Sequence, residues 1–207
     1  MIKTNNTEDI INLINEYIKN ATIDKLIIVA IDGMSASGKS TLAESLSKLY
    51  KADVVHMDDF FLPLNLRTED RYNEIGGNVH YERFKEEVIK NIKEITPFNY
   101  KIFDCSIMDY KGERTIGNTK IRIVEGSYSQ HPYFGDYADI KIFCRINTDE
   151  QIERIIKRNG EEKAIRFKNE WIPFENKYFK LLDLKDNIIF TNWNYEGFKF
   201  VQDDDIL

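Results

Sequence analysis

The sequence predicts an α/β fold, a three-layer sandwich in which a mostly parallel sheet carries helices on both faces and a small β-hairpin is inserted. Three observations predict it. Short apolar runs recur without alternation, helical patterns separate most of them, and a glycine-rich loop follows the first run directly.

Residues 7–20 place Ile10, Ile11, Leu13, Ile14, Tyr17 and Ile18 at helical spacing, with Thr7 and Asp9 as capping candidates, which predicts an amphipathic N-terminal helix. Leu26-Ile27-Ile28-Val29-Ala30-Ile31 is continuous and apolar, as expected of a strand buried on both faces. Asp53-Val54-Val55-His56-Met57, Ile121-Arg122-Ile123-Val124, Ile140-Lys141-Ile142-Phe143-Cys144 and Asn187-Ile188-Ile189-Phe190 are the other strand candidates. Helical patterns fall at residues 41–50, 81–95, 149–158 and 164–182. Residues 97–120 break the alternation. There, Tyr100-Lys101-Ile102-Phe103 and a second segment at 115–120 flank a polar turn at Lys111-Gly112-Glu113, which predicts the inserted hairpin.

With 207 residues, the chain is expected to be one domain rather than two. No stretch approaches the roughly 18 consecutive apolar residues of a membrane span, and the first residues lack an apolar h-region. A soluble, cytoplasmic protein is expected. Cys105 and Cys144 each lie in an apolar run and read as buried thiols rather than a disulfide or metal pair. The net charge of −6, from 35 acidic and 29 basic residues, argues against a nucleic-acid partner held over a broad surface. Asp203-Asp204-Asp205 reads as a solvated tail.

Gly33-Met34-Ser35-Ala36-Ser37-Gly38-Lys39-Ser40, followed by Thr41, satisfies the P-loop pattern G-x-x-x-x-G-K-[ST] between a strand and a helix. Gly33 and Gly38 allow the sharp turns that converge backbone N–H groups and the positive helix end on phosphate oxygens. Lys39 adds a mobile charge for the β- and γ-phosphates, and Ser40 can place its hydroxyl on Mg²⁺. The expected cofactors are ATP and Mg²⁺.

The second apolar run ends in His56-Met57-Asp58-Asp59-Phe60-Phe61, which sets two carboxylates at the carboxyl edge of the sheet, where open α/β sheets bind ligands. An aspartate there can orient an attacking hydroxyl and accept its proton. Glu125 closes another strand, where it can support the metal. Arg154 and Arg158, four apart on a helix with Lys157 nearby, form a face that can neutralise developing charge as a lid, over about 150–165. His56, His80 and His131 form no recognisable metal cluster. Trp171 and Trp193 read as core.

Together these segments resemble the uridine kinase-like branch of P-loop kinases, which includes phosphoribulokinase, nicotinamide riboside kinase and bacterial pantothenate kinase. The likeness runs over residues 25–179. It rests on the Gly33 loop, on Asp58-Asp59-Phe60-Phe61 as a D-x-F-[YF] signature, on Val124-Glu125-Gly126 and on the Arg154/Arg158 lid. A further stretch, Trp171-Ile172-Pro173-Phe174-Glu175 through Tyr178-Phe179, is similar to one in bacterial members. The resemblance implies that Asp58 is the catalytic base and that Glu125 supports Mg²⁺. It implies an acceptor site around Asp58, Phe61, His80, Glu82, Phe103 and Asp104.

The hairpin departs from the family pattern. Uridine-cytidine kinases carry Tyr-Asp followed by His and Arg, whereas this chain has Phe103-Asp104, Met108 and Tyr110. Asn78-Val79-His80-Tyr81-Glu82-Arg83 lacks the family's ribose-gripping aspartate, for which Glu82 or His80 would substitute. The expected activity is phosphoryl transfer from ATP to a small-molecule hydroxyl. A nucleoside comes first as acceptor, with another riboside or a pantothenate-like alcohol second. A nucleotide-hydrolysing switch is the alternative of a different class. It is disfavoured because the D-x-x-G match at Asp109-Tyr110-Lys111-Gly112 falls in the predicted hairpin and Asn176-Lys177-Tyr178-Phe179 lacks the aspartate of N-K-x-D. No membrane partner is expected, and a homo-oligomer stays open.

Overall fold

The structure is a computed structural model and describes residues 1–22 and 25–191 of the chain. Trp193 and the Asp203-Asp204-Asp205 run lie outside the described residues.

Six parallel strands form one sheet in the order β1 (Ile2–Thr4), β8 (Asn187–Thr191), β7 (Ile140–Arg145), β2 (Ile27–Gly33), β6 (Ile121–Glu125) and β3 (Asp53–His56). The short β1 was not predicted: three residues pair with β8 at the sheet edge, too few to show a period. Strand β2 is buried along its whole length, and its unalternated sequence follows from apolar cores on both sides. Ile28 and Ala30 face one core with Val55, Phe84, Tyr100, Val124 and Tyr178. Ile27, Val29 and Ile31 face the other, with Ile10, Ile14, Leu42, Leu46 and Ile142. Because successive side chains point to opposite faces, one apolar run serves two cores.

Helix α1 (Thr7–Asn20) packs on the second face through Ile10 and Ile14. Its cap is neither Thr7 nor Asp9. Asn6, in extended conformation, accepts from Glu8 N at 2.9 Å, and Asp9 accepts from Thr4 Oγ1. Helix α2 (Lys39–Tyr50) lies beside it. Helices α3 (Glu69–Asn73) and α4 (Tyr81–Phe84) are short, and α4 continues as a π-helical turn, Lys85–Ile89, where a single helix over 81–95 was expected. Arg122, fully buried in β6, explains where that segment stops. Its guanidinium donates to the carbonyls of Asn91, Ile92, Glu94, Thr96 and Gly117 at 2.6–3.3 Å, satisfying carbonyls that the helix end leaves unpaired.

The inserted hairpin pairs β4 (Phe98–Asp104) with β5 (Asp109–Ile116). Its turn lies at residues 105–108, not at Lys111-Gly112-Glu113, which falls within β5. Gly112 marks an irregularity instead. The register shifts between Ile102 and Phe103, leaving Lys111 opposite no residue, and Gly112 takes φ +151°. Met108 supplies the left-handed turn residue at φ +52°, a role its type does not advertise.

Helix α5 (Thr148–Asn159) follows β7. The helical pattern over 164–182 resolves into α6 (Glu161–Arg166), a π-helical turn (Phe167–Trp171) and α7 (Ile172–Phe179). Pro173, with no N–H to donate to the preceding turn, accounts for the wider winding there. No described helix is long and apolar enough to cross a membrane.

Candidate active site

The carboxyl ends of β2, β3 and β6 meet at one cavity of about 570 Å³, as expected of a parallel sheet with helices on both faces. Ser35, Ala36, Gly38, Lys39, Ser40 and Thr41 line it from the loop after β2. Gly33, at φ +131°, is packed so tightly that a Cβ there would sit 2.0 Å from Cys144 O. Only glycine fits. Gly38 caps α2 at φ +93°, Met34 packs against the core below, and Ser37 is buried within the loop. The first backbone bond of α2 runs from Leu42 N to Gly38 O at 2.9 Å, so the N–H groups just before Leu42 have no helical carbonyl to meet. Such a helix start favours an anion. Lys39 Nζ donates to Gly33 O and Met34 O, both at 2.8 Å, which folds its charge back over the same loop.

Ser40 Oγ donates to Glu125 Oε2 at 3.1 Å, and Glu125 Oε1 lies 2.6 Å from His56 Nδ1. This hydroxyl and carboxylate are hard oxygen donors. They fit Mg²⁺, which is bound by one or two protein oxygens together with phosphate oxygens and water. Among the described residues no group of three or more His, Cys, Asp or Glu side chains offers an all-protein metal cage.

The two aspartates after β3 diverge. Asp59 turns to the hairpin, where Tyr100 Oη donates to it at 3.0 Å and Arg114 Nε at 3.3 Å. Asp58 lines the cavity. Its carboxylate is open to cavity solvent but enclosed by protein on its other sides. This enclosure, followed by the negative charge of Glu125, holds its pKa above the usual carboxylate range, while Lys39 and Arg158 pull it down.

Arg154 and Arg158 both line the cavity from α5. Arg154 reaches Ala36 O at 3.4 Å and pairs with Glu150, and Gln151 Nε2 donates to Ser35 O at 2.9 Å, so the helix docks directly on the loop. Arg158 donates to Asn159 Oδ1 at 2.8 Å and makes no ion pair among the described residues. Phe61 lines the cavity and meets Trp171 edge-on, with ring centroids 6.1 Å apart. Trp171 is therefore a half-buried wall residue rather than core: the π turn sets Phe167 and Trp171, four apart, along the same wall.

The remaining acceptor-site residues lie elsewhere. Glu82 is held by Arg71 through two bonds of 2.7 and 2.9 Å, and His80 caps α4 by accepting from Arg83 N. Phe103 is buried edge-on against Tyr110. Asp104 closes the hairpin turn, accepting from Ser106 N and Oγ at 2.8 and 2.6 Å and from Lys111 Nζ at 2.9 Å. None of the four lines the cavity; Cys105 and Met108, from the turn itself, do.

Several groups in or beside the cavity had no role assigned from the sequence. Glu175 of α7 is buried and accepts from Ser35 N at 2.9 Å, Ser35 Oγ at 2.6 Å and Ser127 Oγ at 2.7 Å. Three residues on, Tyr178 Oη donates to Asp32 at 2.5 Å. The stretch Trp171-Ile172-Pro173-Phe174-Glu175 through Tyr178-Phe179 thus ties the C-terminal helices to the loop, a role visible only once α7 is placed.

Asp32, fully buried, also accepts from the backbone N–H groups of Gly33, Tyr128 and Gln130 at 2.6–3.2 Å. Burial outweighs these bonds and pushes its pKa up to about 6, against 3.8 for a free aspartate. The folded protein thus holds this proton more tightly than the unfolded chain does. The associated stability is full below about pH 4 and is lost as pH rises through about 6. The unfolding free energy of the wild type, relative to Asp32→Asn, is expected to fall by ~2 kcal/mol between pH 4 and 6.5 in urea titrations. A pH-independent difference would refute this assignment.

A uridine kinase of Chlamydia pneumoniae is 29% identical over 151 residues, covering 67% of this chain and 66% of that protein, so the chain spans just under two thirds of that relative. A shikimate kinase of Clostridium botulinum (strain Okra / Type B1) is 22% identical over 170 residues, 81% of this chain and 89% of that protein. The structure of D-glycerate 3-kinase from Cryptococcus neoformans var. grubii shares the fold, with a TM-score of 0.60, 14% identity and coverage of 81% of this chain and 85% of that one. The family model described as AAA domain matches residues 29–178, most of the chain including the loop, Asp58, Glu125 and α5, and the chain accordingly belongs to the AAA domain family with a P-loop kinase fold.

Proposed function

We propose that this protein transfers the γ-phosphoryl group of ATP to a hydroxyl of a small molecule. The observation that carries this reading is the placement of Asp58 in the same cavity as the phosphate loop, while Asp59 is bonded away from it. In this reading the N–H groups of residues 38–41 and Lys39 hold the phosphates, and Ser40 and Glu125 would hold Mg²⁺, which would neutralise charge on the phosphate oxygens. Asp58 accepts the proton of the attacking hydroxyl. A pKa held above the usual carboxylate range makes it a stronger base than a free aspartate. Arg154 and Arg158 stabilise the charge that spreads over the transferring group. Phe61, Phe167 and Trp171 exclude water, which would otherwise compete as acceptor.

Likeness to a uridine kinase makes a nucleoside hydroxyl one candidate acceptor, and the aromatic wall formed by Phe61 and Trp171 is compatible with a base. A second reading, a pantothenate-like alcohol bearing an acid group, is favoured by a specific observation: Arg67 lines the cavity without an ion pair among the described residues. The test is a coupled ADP-release assay across nucleosides, ribosides and small hydroxy acids. Acceptor-dependent ADP release with a phosphorylated product is expected; ADP release that no acceptor stimulates would favour the nucleotide-driven switch.

A further inference from the structure

The acceptor end of the cavity carries chemistry that the phosphate-loop end does not explain. Its walls are largely apolar: Phe61, Val79, Met108 and Trp171. Its polar groups are Arg67, Asn78 and Tyr128. Asn78 and Tyr128 are 6% and 4% exposed, and the Tyr128 hydroxyl is paired with the Asn78 side chain, so these two polar groups largely satisfy each other beneath the cavity wall.

Arg67 donates through Nε to Leu62 O at 2.8 Å and lies beside the Cys105 thiol. It meets no carboxylate among the described residues. By contrast, the carboxylates near the cavity have other work. Glu125 is held by Ser40 and His56, Glu175 by Ser35 and Ser127, and Asp58 is the proposed base. Outside the cavity, Asp59, Glu82 and Asp104 are all bonded to protein donors. Among the described residues no carboxylate is left to grip a vicinal diol, the group that a neutral riboside presents.

We infer that the acceptor is a small hydroxy acid whose carboxylate is bound by Arg67. The inference rests on the kinase reading above. A guanidinium presents a planar pair of donors that matches a carboxylate, and Arg67's single charge balances a monoanion better than a phosphate dianion.

The test is steady-state ADP release with pantothenate, shikimate and D-glycerate, each beside its neutral methyl ester, and with uridine and a sugar phosphate as further arms. At least one acid is expected to exceed its ester at least tenfold in kcat/KM. Arg67→Gln is expected to collapse that preference to near unity, chiefly through KM for the acid. Arg67→Lys, which keeps the charge and loses the fork, should restore part of it. A purely structural role for Arg67 would lower acid and ester alike. Uridine, the sugar phosphate or an ester matching or exceeding every acid would overturn the inference while leaving the kinase reading intact, as would an unchanged acid-to-ester ratio in Arg67→Gln. If no acceptor in any arm stimulates ADP release, the kinase reading falls and the inference falls with it.

Discussion

Asp58→Asn is expected to lower kcat for phosphotransfer by about 10²- to 10⁴-fold, the usual weight of a positioned general base. Asparagine keeps the size and most of the packing of the side chain but cannot take the hydroxyl proton. Asp58 faces the cavity with a pKa held up by enclosure and by Glu125, whereas Asp59 is spent on Tyr100 and Arg114. Asp59→Asn therefore serves as the paired variant, and its loss should appear mainly in thermal stability. Affinity for ATP, read with a fluorescent analogue, should change little in Asp58→Asn because the nucleotide's phosphates are gathered by the loop. Wild-type turnover in Asp58→Asn would rule the residue out as the base. A large kcat loss confined to Asp59→Asn would transfer the role to its neighbour.

Lys39→Met should cost about 10²- to 10³-fold in kcat/KM, the scale set by removing one preorganised donor from a developing charge. Methionine approximates the length of the stem and removes the ammonium. Lys39 Nζ also bridges Gly33 O and Met34 O, so part of the effect comes through the shape of the loop. The two contributions separate experimentally. A lost charge weakens ATP binding and turnover with little change in melting temperature, whereas a collapsed loop lowers the melting temperature as well. Near-wild-type kcat/KM would remove Lys39 from the chemistry.

Much of the scaffold was legible because local rules and the tertiary arrangement agree. The run ending in Ile31 had to be buried on both faces, and Gly33 had to be glycine because the Cys144 backbone lies against it. Arg154 and Arg158, four apart on a helix, reach the cavity side by side. Where local rules and packing disagreed, packing decided. Lys111-Gly112-Glu113 has turn composition but became a bulged strand, since β5 gains its hydrogen bonds by pairing along β4. A continuous helical pattern over 164–182 was broken by Pro173 into segments whose π turn turned Trp171 from core to cavity wall.

The amino-acid sequence by itself determined the layered α/β architecture, the phosphate loop and the carboxylates at the strand ends. These depend on residue type at short fixed spacing, and backbone geometry then has few alternatives. Only the tertiary structure decided which of Asp58 and Asp59 faces the cavity and that Glu82 and Asp104 are bonded elsewhere. It also decided that Glu175, Asp32, Arg67, Asn78 and Tyr128 belong to or support the site. The reason is physical: a polar side chain's role is set by which partner reaches it first, and partners as far apart as Ser35 and Glu175 meet only when the sheet and its helices are assembled.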